Sequence, residues 1–144
     1  MKKLYLPLSC ALLLLTSCSE SPTGTVAKKE AEKPPEPIAG LARIALARGD
    51  LEGAMTTIGE VLAHFDAGSS VDGTEDPIWI YLTCQQVLAA AASARAAEFL
   101  DRAHALLSER AAALGDDERG SFLANVPTHR AVVAAWTAAG RAAT

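Results

Sequence analysis

The residues best suited to chemistry in this 144-residue sequence are its histidines, cysteines and serines. His64, His104 and His129 stand far apart, and none is followed four residues later by a metal-ligating residue. Ser108 and Ser121 have no evident base beside them, and the sequence lacks HExxH, GxSxG, Walker and Gly-rich dinucleotide motifs. The sequence therefore predicts a protein that is not an enzyme and needs no metal or cofactor.

Cys18 is the exception, because its position in the leader gives it a chemical role. Lys2 and Lys3 precede an apolar run from Leu4 to Leu15, as in a secretory signal. The sequence Leu15-Thr16-Ser17-Cys18 resembles a bacterial lipobox. The resemblance implies that a diacylglyceryl group is attached to the Cys18 thiol, that residues 1–17 are cleaved, and that the new amine receives a further acyl chain such as palmitate.

A membrane-spanning helix and an ordinary secretory signal fit this leader less well. The apolar stretch from Leu4 to Thr16 has 13 residues, whereas a helix needs roughly 20 to cross a bilayer. Cys10 is a weaker lipidation candidate, because Pro7 stands where a lipobox has an aliphatic residue. Ser19 is not the Asp that lipoproteins use for inner-membrane retention, so the resemblance implies the outer membrane, on its periplasmic side or at the surface.

The charge and the cysteines of the processed chain exclude further classes. Removal of residues 1–17 leaves 11 basic and 17 acidic residues, which disfavours nucleic-acid binding. Cys84 is then the one thiol without lipid, so no disulfide can form within the chain. Since Leu82, Val87 and Leu88 surround Cys84 in a helical pattern, we expect it in the core.

The composition divides the processed chain into a tether, a domain and a tail. Residues 18–37 are rich in Pro, Lys and Glu and are predicted to be disordered. Residues 38–140 are predicted to form one all-α domain, and residues 141–144 a frayed tail. The predicted helices are Ile38–Arg48, Leu51–Phe65, Pro77 to a turn at Ala92–Arg95, that turn to Leu114, a short helix capped by Asp116 or Asp117, and Pro127–Gly140. One continuous helix from Pro77 to Leu114 stays open as an alternative.

Apolar residues at spacings of three and four predict the buried face of each helix. For four of the helices these faces are Ile38, Leu41, Ala42, Ala45 and Leu46; Ala54, Ile58, Val61, Leu62 and Phe65; Ala96, Leu100, Ala103, Leu107, Ala111 and Leu114; and Val132, Val133, Trp136 and Ala139. Asp50 and Asp76 are predicted N-caps.

The first two helix pairs are related by a displacement of 42 residues. Ala42, Ala45, Ala54, Ile58 and Val61 correspond in this way to Cys84, Val87, Ala96, Leu100 and Ala103. The pattern resembles tetratricopeptide repeats, helix-turn-helix units of about 34 residues, and residues 49–54 resemble the family's inter-helix turn. The resemblance implies a short tetratricopeptide-like α-solenoid of about six antiparallel helices.

The C-terminal part resembles the closing segment of tetratricopeptide arrays in bacterial multidomain regulators and signalling ATPases. The matching residues are Arg119, Phe122, Leu123, Asn125, Val126, Pro127 and Arg130. The resemblance covers about Asp76–Trp136, extends weakly to Ile38–Phe65, and includes none of the regulators' nucleotide-binding or DNA-binding domains. It implies a scaffold without activity, in which Phe122, Leu123 and Val126 close the exposed end of the array.

Trp79 and Tyr81 are the candidate partner-binding residues, because aromatic residues are scarce in this chain. Two positions apart on a helix, they point to different sides, so we expect at most one to face the core. The sequence predicts a lipid-anchored module of the bacterial cell envelope that binds a protein or peptide and no nucleic acid. Two alternatives stay open: a decayed remnant of a larger regulator's repeat array, and a small envelope enzyme or accessory factor with an unrecognised site.

Overall fold

All regular structure in the described part of the chain is helical. The computed structural model describes residues 35–71 and 73–141, so the leader, Cys18 and most of the predicted tether lie outside the described residues. Six helices are found there: α1 (Pro35–Ala47), α2 (Leu51–Asp66), α3 (Pro77–Ala90), α4 (Ala96–Ala112), α5 (Asp116–Asn125) and α6 (Pro127–Ala138). The predicted all-α class is confirmed.

Aspartate caps set the starts of α2 and α3, as predicted. The carboxylate of Asp50 accepts a hydrogen bond from the amide of Gly53 at 2.8 Å. The carboxylate of Asp76 likewise accepts from the amide of Trp79 at 3.1 Å, and Pro77 is the first residue of α3. Gly53 is required by this arrangement, because a Cβ there would overlap the Asp50 carboxylate.

The turn predicted at residues 92–95 separates α3 from α4, so the single long helix is wrong. Ala92 adopts a left-handed φ of 53°, and the amide of Ser93 donates to the carbonyl of Leu88 at 2.9 Å, which closes α3. Beyond the turn, Arg95 binds Asp66 at the end of α2 through two hydrogen bonds of 2.6 and 3.2 Å. The left-handed alanine costs about 1–2 kcal/mol, which the packing of α4 must offset.

Helix α3 is the central element of the core, since it packs against α1, α2, α4 and α6. One apolar cluster, which includes Ile58 and Phe99, connects the four helices α1, α2, α3 and α4. A second cluster, which includes Leu107 and Val132, joins α3 and α4 to α6. Tyr81 packs against both clusters and links them.

The predicted buried face of α2 is confirmed residue by residue, but that of α1 needs a correction. Leu41 is 55 % exposed, whereas Ala39 is fully buried. The reason is that α1 packs between α2 and α3, so its narrow inward face is centred on Ile38, Ala39 and Ala42. Leu41 and Ile44, one turn apart, are left as exposed apolar residues.

Helices α4 and α6 bury only part of their predicted faces, since Ala96, Leu114, Val133 and Trp136 are half-buried. Phe99 is fully buried although it lies beside the predicted stripe of α4, and Ala139 beyond α6 is exposed. His129 is buried instead, and its Nδ1 lies 2.8 Å from the carbonyl oxygen of Phe122. This contact satisfies the buried ring nitrogen and fixes α6 against α5.

The N-cap of α5 is Gly115 and not Asp116 or Asp117 as predicted. Gly115 is extended, with φ -63° and ψ 162°, and its amide donates to the carboxylate of Glu118 at 3.3 Å. Both aspartates therefore lie in the first turn of α5. Their negative charge interacts favourably there with the positive end of the helix dipole and stabilises the helix.

Cys84 lies in the core, as predicted, and burial raises the pKa of its thiol to about 12. At pH 8 this leaves about one thiol in ten thousand as the reactive thiolate. We expect iodoacetamide to modify Cys84 at least about 100-fold more slowly in the native protein than in urea. Peptide mass spectrometry over a time course measures both rates, and equal rates would contradict the packing described.

Candidate functional site

The structure places Trp79 and Tyr81 on different neighbours of α3. The Trp79 ring lies over Gly40 of α1, with the guanidinium carbon of Arg43 5.8 Å from its centroid. The Tyr81 ring stacks on Phe65 of α2 at 5.4 Å. Both are half-buried against the core, so the expectation that at most one faces it is wrong, because α3 is covered on several sides. Their role in partner binding stays a prediction.

A large concave surface lies between α4, α5 and α6. This terminal groove has a volume of about 1000 Å³. Its apolar lining comes mainly from Leu107, Ala111, Ala112, Leu123, Val133 and Ala134. The groove has no local signal in the sequence, because its residues belong to three helices and none forms a local motif.

An aromatic stack forms one end of the terminal groove. The rings of His104 and Trp136 are parallel within 6°, with centroids 3.7 Å apart. The guanidinium carbon of Arg141 lies 4.6 Å from the Trp136 centroid, and Arg141 also forms an ion pair with Asp101. The scarcity of tryptophan, two in the chain, was the one sequence signal that could have singled out Trp136.

Burial lowers the pKa of His104 below its ordinary value. The folded protein therefore favours the neutral ring, whereas the unfolded chain takes up a proton near pH 6.5. We expect His104 to contribute a loss of stability as the pH falls below about 6.5, and none above it. Urea unfolding between pH 5 and 8 measures this as the difference from His104→Phe, which keeps a flat ring but cannot ionise. An NMR-measured His104 pKa above its ordinary value would contradict the expectation.

Two arginines line the terminal groove, and they differ in how firmly their side chains are held. Arg119 is held in place, since its guanidinium donates to the carbonyls of Ala111 at 3.0 Å and Leu114 at 2.9 Å and to Asp116 at 3.2 Å. Arg130, in the first turn of α6, is exposed. No side-chain partner of Arg130 is found within residues 35–71 and 73–141. Of the two arginines that line the groove, Arg130 is therefore the one that can bind a ligand without losing an existing pair.

Ser108 and His104 are the nearest approach to a catalytic pair. The hydroxyl oxygen of Ser108 lies 3.5 Å from Nδ1 of His104, so the sequence-based view that Ser108 lacks a base nearby was incomplete. The distance is long for a hydrogen bond, and Asp101, the acid nearest in sequence, is paired with Arg141 rather than orienting the imidazole. The geometry falls short of an activated nucleophile.

Other kinds of site have no support in residues 35–71 and 73–141. No cluster of three or more His, Cys, Asp or Glu side chains there could hold a metal ion. None of the helices in the same ranges is long and apolar enough to span a bilayer. No protein-family model, curated protein or solved structure matches the chain.

Proposed function

We propose that the protein is a lipid-anchored, non-catalytic helical module that binds another protein or a peptide in the bacterial cell envelope. The terminal groove carries this proposal. At about 1000 Å³ it is larger than the cavity of about 380 Å³ that Tyr81 and Arg102 help to line. Its apolar walls with a few polar groups are typical of a binding site.

The burial pattern supports a tetratricopeptide-like arrangement of the domain. Helix α1 packs on α2 across a short turn, and α3 packs on α4 in the same way. Three of the five pairs related by the displacement of 42 are buried at both positions: Ala42 and Cys84, Ile58 and Leu100, and Val61 and Ala103. In the other two pairs Val87 and Ala54 are buried, whereas Ala45 and Ala96 are half-buried. Ala42, Cys84 and Ala103 are small, which lets paired helices approach closely.

The terminal groove lies at the C-terminal end of the array, where α5 and α6 pack on α4. Phe122 and Leu123, expected to close that end, are only half-buried, although they pack against the second cluster. Helix α5 has no fully buried residue. The last helices therefore leave an apolar surface uncovered, which suits the docking of a partner.

The membrane anchor is proposed from the lipobox resemblance at Cys18. The tether is shorter than predicted, because residues 35–37 belong to α1. The 16 residues from 19 to 34 have an average span of roughly 20–24 Å when flexible, so the domain can stand clear of the bilayer. The absence of the inner-membrane Asp after Cys18 favours the outer membrane.

The binding function is tested by affinity capture of partner proteins from membranes, with the wild type and with a variant whose groove is blocked. Ala134, exposed on α6, lines the groove, whereas Ala63 is exposed on α2 and does not. We expect protein captured by the wild type to be lost with Ala134→Trp and retained with Ala63→Trp, because the added indole fills the groove. Circular dichroism verifies that both variants fold. Capture unaffected by Ala134→Trp, or no capture by the wild type, would contradict the proposed site.

A further inference from the structure

The lining of the terminal groove has a charge opposite to that of the chain as a whole. The net charge of the sequence is -4, yet Arg119 and Arg130 line the groove and none of its described lining residues is acidic. Asp116 offsets Arg119 in part, at 3.2 Å, which leaves Arg130 uncompensated. We propose, on the basis of the proposed function, that the groove binds a short amphipathic helix whose polar edge carries acidic side chains.

The shape of the groove favours a helix as its occupant. Alanines 111, 112 and 134 form part of its walls, and small side chains allow a helix axis to come within about 8–10 Å. Two of these alanines, 112 and 134, are exposed, so the groove is open along one side. An acyl chain would leave one flank in water there, whereas an amphipathic helix turns its polar face outward.

The α4 wall sets the length of the ligand, and Trp136 and Arg130 set where its apolar and acidic side chains bind. The α4 wall from His104 to Ala112 is about 12 Å long, which matches two to three turns of a helix. Trp136, near the far end of α6 from Arg130, adds an apolar ring edge to the lining there, since its two faces are covered by His104 and Arg141. A carboxylate near Arg130 gains a charge-assisted hydrogen bond without breaking an existing pair.

Two matched peptides test the charge preference directly. Both are fluorescein-labelled 14-residue helix formers whose central two to three turns carry the same Leu/Ala face, so that the ends can fray beyond the groove. One has Glu and the other Lys at every polar-edge position. Fluorescence anisotropy measures their binding to the whole processed protein in zwitterionic lipid nanodiscs, with empty nanodiscs as the background. Oleate, added as a competitor, is the probe for an acyl-chain site.

We expect the Glu peptide to bind at least about tenfold more tightly than the Lys peptide, and Arg130→Glu to weaken its binding about tenfold. Arg48→Glu, an equal charge change at an exposed residue after α1, should change it less than about twofold. Equal binding of the two peptides, insensitivity to Arg130→Glu, or displacement by oleate at lower concentration than by unlabelled Glu peptide would overturn the inference. If Ala134→Trp still abolishes membrane capture in that case, the proposed function stands and only the acidic helix is rejected.

Discussion

A Cys18→Ala variant is expected to lose lipid attachment and processing completely. The thiol of Cys18 is the proposed acceptor of the diacylglyceryl group, and alanine has no nucleophile to replace it. The chain should then remain at its precursor size and incorporate no label from a clickable palmitate analogue fed to cells. Gel mobility and in-gel fluorescence measure the two effects.

Cys10→Ala is the matched control for this prediction. Cys10 lies in the same leader but is the weaker candidate, because Pro7 stands where a lipobox has an aliphatic residue. We therefore expect its loss to change neither labelling nor processing. A Cys18→Ala protein that is released from membranes at the normal mature size would contradict lipidation at this residue. Loss of label in Cys10→Ala instead would mean that Cys10, and not Cys18, carries the lipid.

A Phe99→Ala variant is expected to lower the free energy of unfolding by about 3–5 kcal/mol. Phe99 is a fully buried side chain, and its ring centroid lies 5.5 Å from that of Phe65 and 6.4 Å from that of Tyr81. The truncation therefore leaves a cavity where α2, α3 and α4 meet. Small domains are stable by only about 5–15 kcal/mol, so the loss is a large part of the total.

Leu41→Ala is the control that separates this fold from the sequence-based one. Periodicity placed Leu41 in the core, but the structure exposes it, so we expect a change within about 0.5 kcal/mol. Urea unfolding followed by circular dichroism measures both variants. A Leu41→Ala loss comparable to that of Phe99→Ala would mean that α1 packs with a different face inward.

Local signals in the sequence were sufficient to locate most helix boundaries. Asp50 and Asp76 act as caps through their own side chains, so the residue type predicts these two helix starts. It fails at α5, where Gly115 and not an aspartate is the cap. The turn before α4 was harder to predict, because Ala92 supplies the left-handed conformation without a glycine. Its prediction came from the poor packing that one long helix would have.

Features that depend on three or more helices could not be predicted. Whether Leu41 or Ala39 of α1 faces inward depends on where α2 and α3 lie, which periodicity does not state. The terminal groove likewise depends on how α5 and α6 pack on α4. His104 and Trp136, 32 positions apart in the sequence, stack because α6 folds back on α4.

Photo-crosslinking in intact cells tests most directly whether this protein is an envelope binding module that acts through its terminal groove. Benzoylphenylalanine would replace Ala134 in the groove or, as a control, Ala63 on α2. We expect light to produce a discrete higher-mass adduct with another envelope protein from position 134 and none from position 63. No adduct from position 134, or the same adducts from both positions, would contradict the account.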